Sequence, residues 1–376
     1  MKNVMGLIYT TKNDIALREL TASRAVAALP VIGRYRVIDF ILSNMVNSGI
    51  RNVGVIMQKN YHSLMDHLGS GKEWDLHTRN HGLFILPPFQ TSENVGTYEG
   101  SIDSLRSNIS YLRRSTQEYI ILSNTYSVFN TTFDAMMDEH LRSGSDITMM
   151  YTRRPLEHRL SSSTIRMHSH LKLDADNNVL DIEIGATPPS YENLSMHVIL
   201  MRRNLLLHLI DQAIAHGVHD MHKYLQMEVL KAGILKVRGF EHVGYQKRIE
   251  SVLSFYRFNM DMLNPDIRRE IFGVNPVYTK VRDEVPVKYA HGSHAVNSLV
   301  ADGCIIEGTV ENSVLFRGVR IRRGAVVRNS IIMQEGDVQE NVELENVIFD
   351  KAVTIRRGKL IGQSEYPIVI GKNMTL

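Results

Sequence analysis

The opening stretch Met5-Gly6-Leu7-Ile8-Tyr9-Thr10-Thr11-Lys12-Asn13-Asp14-Ile15-Ala16-Leu17 has the order of a phosphate-binding strand, loop and helix. A backbone that cradles a triphosphate needs residues without a Cβ, so that consecutive N–H groups can turn towards oxygen. Thr11, Lys12 and Asp14 stand in that turn instead, and Asp14 would set a carboxylate against a polyanion. A second candidate is the run His216-Gly217-Val218-His219-Asp220-Met221-His222. On a helix His219 and His222 would share one side. No carboxylate pair completes a metal set, so surface histidines without a physiological metal are expected. Trp74, in Gly71-Lys72-Glu73-Trp74-Asp75, is expected to anchor a loop.

These residues need elements to place them. Val4–Tyr9, Val53–Met57, Tyr119–Leu122, Ile147–Tyr151 and Met196–Met201 are short apolar runs that predict buried strands. Arg36–Asn47 and Ser101–Leu112 carry apolar residues at helical spacing, so a parallel sheet covered on both faces is expected. This predicts a Rossmann-like α/β domain over residues 1–263. Asn264-Pro265 and Asn275-Pro276 predict a linker over 264–290, because the residue before proline is pushed out of helical conformation. In the remainder, 291–376, the period changes. Val326, Ile332, Val338 and Leu344 recur every six residues, with Gly324, Gly336 and Asn341 between them; Ile305, Val310, Val314 and Ile321 form less regular rows upstream. A six-residue apolar period with turn formers at the corners predicts a parallel β-helix.

The 376 residues suffice for two domains with ample cores, and 43 Lys and Arg against 40 Asp and Glu leave a net charge of only +3. No basic run interleaved with aromatics occurs, so nucleic acid is not an expected partner. No apolar run reaches the length of a membrane span, and no leader pattern opens the chain. Cys304 is the only cysteine, so no internal disulfide can form. Core filling within the repeats accounts for it, and a cytoplasmic location is expected.

Arg34-Tyr35-Arg36-Val37-Ile38-Asp39-Phe40-Ile41-Leu42-Ser43-Asn44-Met45-Val46-Asn47-Ser48-Gly49-Ile50 closely resembles the block that comes after the first loop of bacterial ADP-glucose pyrophosphorylases, the glucose-1-phosphate adenylyltransferases. The likeness continues through Gly82-Leu83-Phe84-Ile85-Leu86-Pro87-Pro88. It returns at Asn297-Ser298-Leu299-Val300 and at Glu311-Asn312-Ser313-Val314-Leu315-Phe316-Arg317-Gly318-Val319, so it spans both domains in order. The resemblance implies a nucleotidyltransferase domain of GT-A-like type followed by a left-handed β-helix. The family's reaction is attack of the glucose 1-phosphate oxygen on the α-phosphorus of ATP. It needs a glycine-rich cradle, an arginine and lysines at the phosphates, and carboxylates for a divalent cation.

Position by position, the charged groups of that chemistry are replaced. The family's first loop, G-G-x-G-x-R-L, falls without gaps on Thr11, Lys12, Asp14, Ala16 and Leu17, so the phosphate arginine is alanine. Its R-A-K-P-A becomes Arg24-Ala25-Val26-Ala27-Ala28, with Val26 in place of a lysine. Its S-G-D-H, whose aspartate holds magnesium, becomes Ser123-Asn124-Thr125-Tyr126, and neither Asn124 nor Thr125 is an anionic ligand. The sugar-phosphate motif E-K-P falls on Ile184-Gly185-Ala186, so Gly185 stands where a lysine would meet glucose 1-phosphate. W-K-D-V-G-T falls on Gln246-Lys247-Arg248-Ile249-Glu250-Ser251, and the second metal aspartate is Arg248.

Other positions match. Gln58 falls where the family's glutamine reads the base. Tyr98, Gly100 and Asp103 sit in a Y-R-G-T-A-D-like stretch in which Glu99 replaces the arginine, and Ser195-Met196 matches the family's S-M. These residues, with Glu183, could still hold a nucleotide or sugar; Asp103 as a helix-start residue and Ser195 as a packed strand residue are equally open. The resemblance as a whole implies the accessory, GlgD-type branch of the family. Such a subunit makes no product itself, needs no metal or other cofactor, since Mg2+ belongs to the catalytic partner, and activates a catalytic paralogue within a hetero-tetramer; a homo-oligomer when alone stays open. The alternative is an active adenylyltransferase with a non-standard site. An acyltransferase on the β-helix would need a catalytic histidine among the coils, and none occurs after His294.

Overall fold

The structure, a computed structural model, describes residues 1–9, 15–78, 81–88, 98, 100–154, 168–230, 233–362 and 364–376. Its first domain is built on a nine-stranded mixed sheet. Val4–Tyr9 lies near the middle, parallel to Tyr119–Asn124 on one side and to Asn52–Ile56 on the other, with Gly82–Leu86 beyond. Asn193–Arg202 runs antiparallel beside Tyr119–Asn124 and carries both Ile147–Arg153 and the ribbon Ser169–Leu173 with Val179–Ile184. Both faces are covered, as the apolar runs require. Leu7, Ile120 and Leu122 pack on one side with Leu206 and Ile210 of the helix Arg203–Ala215. Ile8, Ile121 and Val53 pack on the other with Ile38 and Leu42 of the helix Val37–Asn47.

That second helix starts where its sequence says it should. The Asp39 carboxylate accepts the Arg36 backbone N–H at 2.8 Å, occupying a donor the first turn leaves open, and it also accepts from His67 Nε2 at 2.5 Å. The predicted helix Ser101–Leu112 is two helices, Ser101–Ser107 and Ile109–Arg114, meeting at Asn108. The Asn108 side chain there donates to the Ser104 carbonyl at 2.9 Å.

The segment predicted as linker is partly regular. Pro265–Phe272 is a helix with proline in its first turn, where a missing N–H costs nothing, and the Asn264 side chain caps it. Lys288–Tyr289 already pairs with Ile305–Ile306 and belongs to the first coil.

The second domain is a left-handed β-helix of three five-stranded parallel sheets. Ile321, Val338 and Ile355 stack on one another inside it, as do Val327, Leu344 and Ile361. Val327, rather than the expected Val326, points inward. Corners are turned at positive φ by Asn297, Asn312, Asn329 and Asn346, a conformation asparagine tolerates better than most residues. Inside them Ser313 Oγ accepts the Ser330 N–H at 3.1 Å, and Ser330 Oγ accepts the Val347 N–H at 3.3 Å.

The two domains share a core. Leu17, Leu20 and Val26 from the first, and Phe255 and Phe258 from the helix Val252–Asp261, are buried together with Phe316, Ile331, Met333 and Ile348 of the β-helix. Beside it the Arg24 guanidinium bonds both Asp350 carboxylate oxygens at 2.7 Å, with the two side chains 3% and 1% exposed. Among the described residues no helix is long and apolar enough to cross a membrane.

Candidate functional site

Parallel strands collect loops at their carboxyl ends, and chemistry in open α/β sheets is done there. Tyr9 and Asn124 end two neighbouring strands in register. Directly after Asn124, the short strand Ser127–Phe129 pairs antiparallel with Gln246–Arg248, setting Arg248 opposite Ser127. The Ile249 N–H donates to the Tyr126 carbonyl at 2.7 Å. Thr125 and Arg248, far apart along the chain, are thereby brought to one place, each 2% exposed.

The charged groups around them form one cluster. Arg248 Nε lies 3.2 Å from Glu250 Oε2. His168 Nε2 donates to the same carboxylate, 2.8 Å from Oε1 and 2.9 Å from Oε2. Burial would raise the Glu250 carboxyl, but Arg248 and then His168 outweigh it and hold it below the usual range. Burial lowers His168, so its imidazole is neutral at pH 7 and donates as a neutral ring. His170, two residues on, is pushed down to about 4 by burial and by His168. Tyr9 is raised by burial and by Asp220.

Residues that match a binding role are turned to internal contacts. Asp103 accepts the Gly100 N–H at 3.3 Å and lies 2.7 Å from His219 Nδ1, so it caps a helix and ties down a loop. A Cβ on Gly100 would come 2.2 Å from the His219 carbonyl oxygen, which gives packing as the reason for glycine there. Ser195 Oγ sits 3.2 Å from His222 Nε2 and accepts the His197 N–H at 3.2 Å, across a bulge where His197 has φ 56°. Glu183 accepts the Ser190 N–H and hydroxyl, both at 2.7 Å. Tyr98 is buried in the core, Gln58 is half-buried, Val26 lies in the interdomain core and Gly185 turns the chain after Val179–Ile184 at φ 67°. Ala16 is half-buried in the irregular turn Ile15–Thr21, whereas Thr11, Lys12 and Asp14 lie outside the described residues.

His219 meets Asp103, and His222, which is buried rather than at the surface as expected, meets Ser195. Among the described residues no group of three or more His, Cys, Asp or Glu is placed to hold a metal ion. Trp74 is buried and packs edge-on to His67, with ring centroids 5.7 Å apart. Cys304 is buried within the β-helix, its Sγ 3.0 Å from the Phe316 carbonyl oxygen.

A second site has no signature in the sequence. A cleft of about 380 Å³ opens between the domains. Arg34 and Arg36 line it from the first domain, Lys280 and Arg282 from the connecting segment, and Arg317, Lys351 and Lys372 from the β-helix; Asp66 and Glu335 are the acids. Burial, only partly offset by Asp39, lowers Arg36 to about 10, and burial with Arg36 and Arg24 nearby lowers Lys351 to about 8. Such a site can hold a multiply charged anion. Its residues come from positions 34 to 373, so no linear basic run announces it.

Comparison with known proteins agrees with this architecture. Residues 16–161 match the nucleotidyl transferase family and residues 285–366 the GlmU-like C-terminal hexapeptide family. The chain is 34% identical over 373 residues to the glycogen biosynthesis protein GlgD of Bacillus subtilis (strain 168), covering 99% of this chain and 96% of that protein. It is 36% identical over 331 residues to the Geobacillus stearothermophilus protein of the same name, covering 86% and 82%. A glucose-1-phosphate adenylyltransferase from that second organism is 33% identical over 334 residues, with 87% and 84% covered.

Proposed function

Because the chain belongs to the family of GlgD glycogen biosynthesis proteins and glucose-1-phosphate adenylyltransferases, we propose that it serves glycogen biosynthesis as an accessory subunit, without adenylyl transfer of its own. One observation carries this reading. The two positions that the resemblance gives to metal-binding acids come together in the fold, and they hold a hydroxyl and a buried guanidinium. Transition-state charge has no dication to meet there, and loss of such stabilisation costs several kcal/mol per group.

An accessory subunit acts by preferring one state of its neighbour. A difference of about 3 kcal/mol across an interface shifts a two-state population by more than a hundredfold. The partner is a catalytic adenylyltransferase subunit of the same fold, in a mixed closed assembly, which we take as a hetero-tetramer. The basic cleft fits an anionic effector whose binding would bridge the two domains. The experiment is a titration of the catalytic paralogue with this chain at fixed ATP and glucose 1-phosphate, tracking pyrophosphate release and light scattering. Alone, the chain should turn over orders of magnitude more slowly than the paralogue; mixed, it should raise the rate per catalytic subunit and give a mixed species. Turnover alone within tenfold of the paralogue, or a flat titration with no mixed species, overturns the proposal.

A further inference from the structure

The family's chemistry uses a divalent cation, so the donors at Thr125 and Arg248 can be tested for one. A hard dication takes anionic and carbonyl oxygens in a close shell. The strand pair Ser127–Phe129 with Gln246–Arg248 places a guanidinium there, 2% exposed, and the nearby carboxylate, Glu250, is already engaged by Arg248 and by His168. The residues do not fit a divalent ion.

We infer that Arg248 is the site's own cation, a covalently attached replacement for a dissociable one. Its charge stays at the end of Gln246–Arg248, keeps Glu250 ionised though buried, and through Glu250 holds His168. The His168 carbonyl in turn accepts the Gly185 N–H at 2.9 Å, so the turn that closes Val179–Ile184 is tied to the same network. Arg154 lies close enough to Glu250 and Arg248 to feel both charges, and Glu183 stands opposite His170 in the ribbon. These charges balance within the protein. The ribbon formed by Ser169–Leu173 and Val179–Ile184 is therefore fixed against the sheet whether or not divalent ions are present. This rests on the accessory reading and deepens it by stating how the emptied site keeps its shape.

The test is thermal unfolding of the purified full chain, in EDTA and in millimolar MgCl2 or MnCl2, with Mn2+ binding monitored by electron paramagnetic resonance. The wild-type midpoint should be the same in all three, with no Mn2+ immobilised. Arg248→Ala strands a buried carboxylate and should lower the midpoint by roughly 5–10 °C, with no recovery on adding metal. Arg248→Asp should be lowered in EDTA and should recover with Mn2+, immobilising one ion, because it adds a second carboxylate beside Glu250. Should Arg248→Ala not fold, Glu250→Gln and the double variant Arg248→Met with Glu250→Gln decide the matter: the double should be the more stable. A metal-dependent midpoint in the wild type, an Arg248→Ala protein as stable as wild type, or a double variant no better than Glu250→Gln overturns the inference. None of these readouts depends on turnover or on the paralogue, so failure here is distinct from failure of the accessory reading.

Discussion

Removing the Asp350 charge should loosen the β-helix from the first domain at a cost that can be worked from the geometry. Arg24 bonds both Asp350 oxygens at 2.7 Å, and neither side chain reaches solvent, at 3% and 1% exposed. Exposed ion pairs contribute at most about 1 kcal/mol, but breaking a buried pair from one side leaves an uncompensated charge and costs about 3–5 kcal/mol. Asp350→Asn should therefore lose about 3–5 kcal/mol. The double variant Arg24→Met with Asp350→Leu should regain most of it, since apolar residues suit a site beside Met333. Urea unfolding reads this out with two probes. Trp74, the single tryptophan, is buried in the first domain, and far-UV circular dichroism weighs the β-helix strands as well. The two transitions should coincide in the wild type and separate in Asp350→Asn, since a shared core couples the domains. A loss below about 1 kcal/mol, or a double variant worse than the sum of the singles, would refute the reasoning.

Acid should destabilise the protein through its buried histidines. His168, His170, His222 and His242 are all lowered by burial, so their contribution is fully present above about 6.5, the unfolded value, and drains away as pH falls towards their folded values, about 4 for His170. Thermal midpoints between about pH 7.5 and 4.5, flat above about pH 6.5 and falling steeply below it, are expected; a midpoint constant down to about pH 5 would show these rings to be exposed. In the cleft, Lys351 titrates at about 8, and an anion would pull its proton back. Sulfate, which does not itself titrate there, should bind more weakly as pH rises through about 8, with Lys351→Arg flattening that dependence in calorimetry; an unchanged profile would place the anion elsewhere.

The β-helix is legible because its six-residue period writes the core directly, one inward residue per side of the coil. Val326 is one position off the true inward residue, since each 17-residue step in the serine ladder is not a whole number of sixes. Proline at 265 reads as a break, yet in the first turn of a helix the ring and its missing N–H are both tolerated. Loss of the acids at Thr125 and Arg248 can be read from the resemblance, but their meeting depends on a strand pairing that no local pattern reveals. The inward contacts of Asp103 and Ser195 are equally hidden, because their partners lie 116 and 27 residues away. The basic cleft escapes for the same reason: each of its charges, taken singly in the sequence, looks like ordinary solvated surface.

The shared core also has a consequence in time. Leu17, Leu20 and Val26 are covered by coils from the far end of the chain, and Arg24 waits for a partner 326 residues away. During synthesis the first domain must stand with that apolar face and that charge bare until the coil bearing Asp350 has emerged and stacked, and the strand Ile368–Ile370 closes over Ile15–Thr21 later still. Contacts this distant form late and leave aggregation-prone surface open meanwhile. For this chain the hazardous interval in folding is thus set by the time taken to make and stack the whole β-helix, and it is over that interval that a chaperone or a partner subunit would find the most exposed surface to hold.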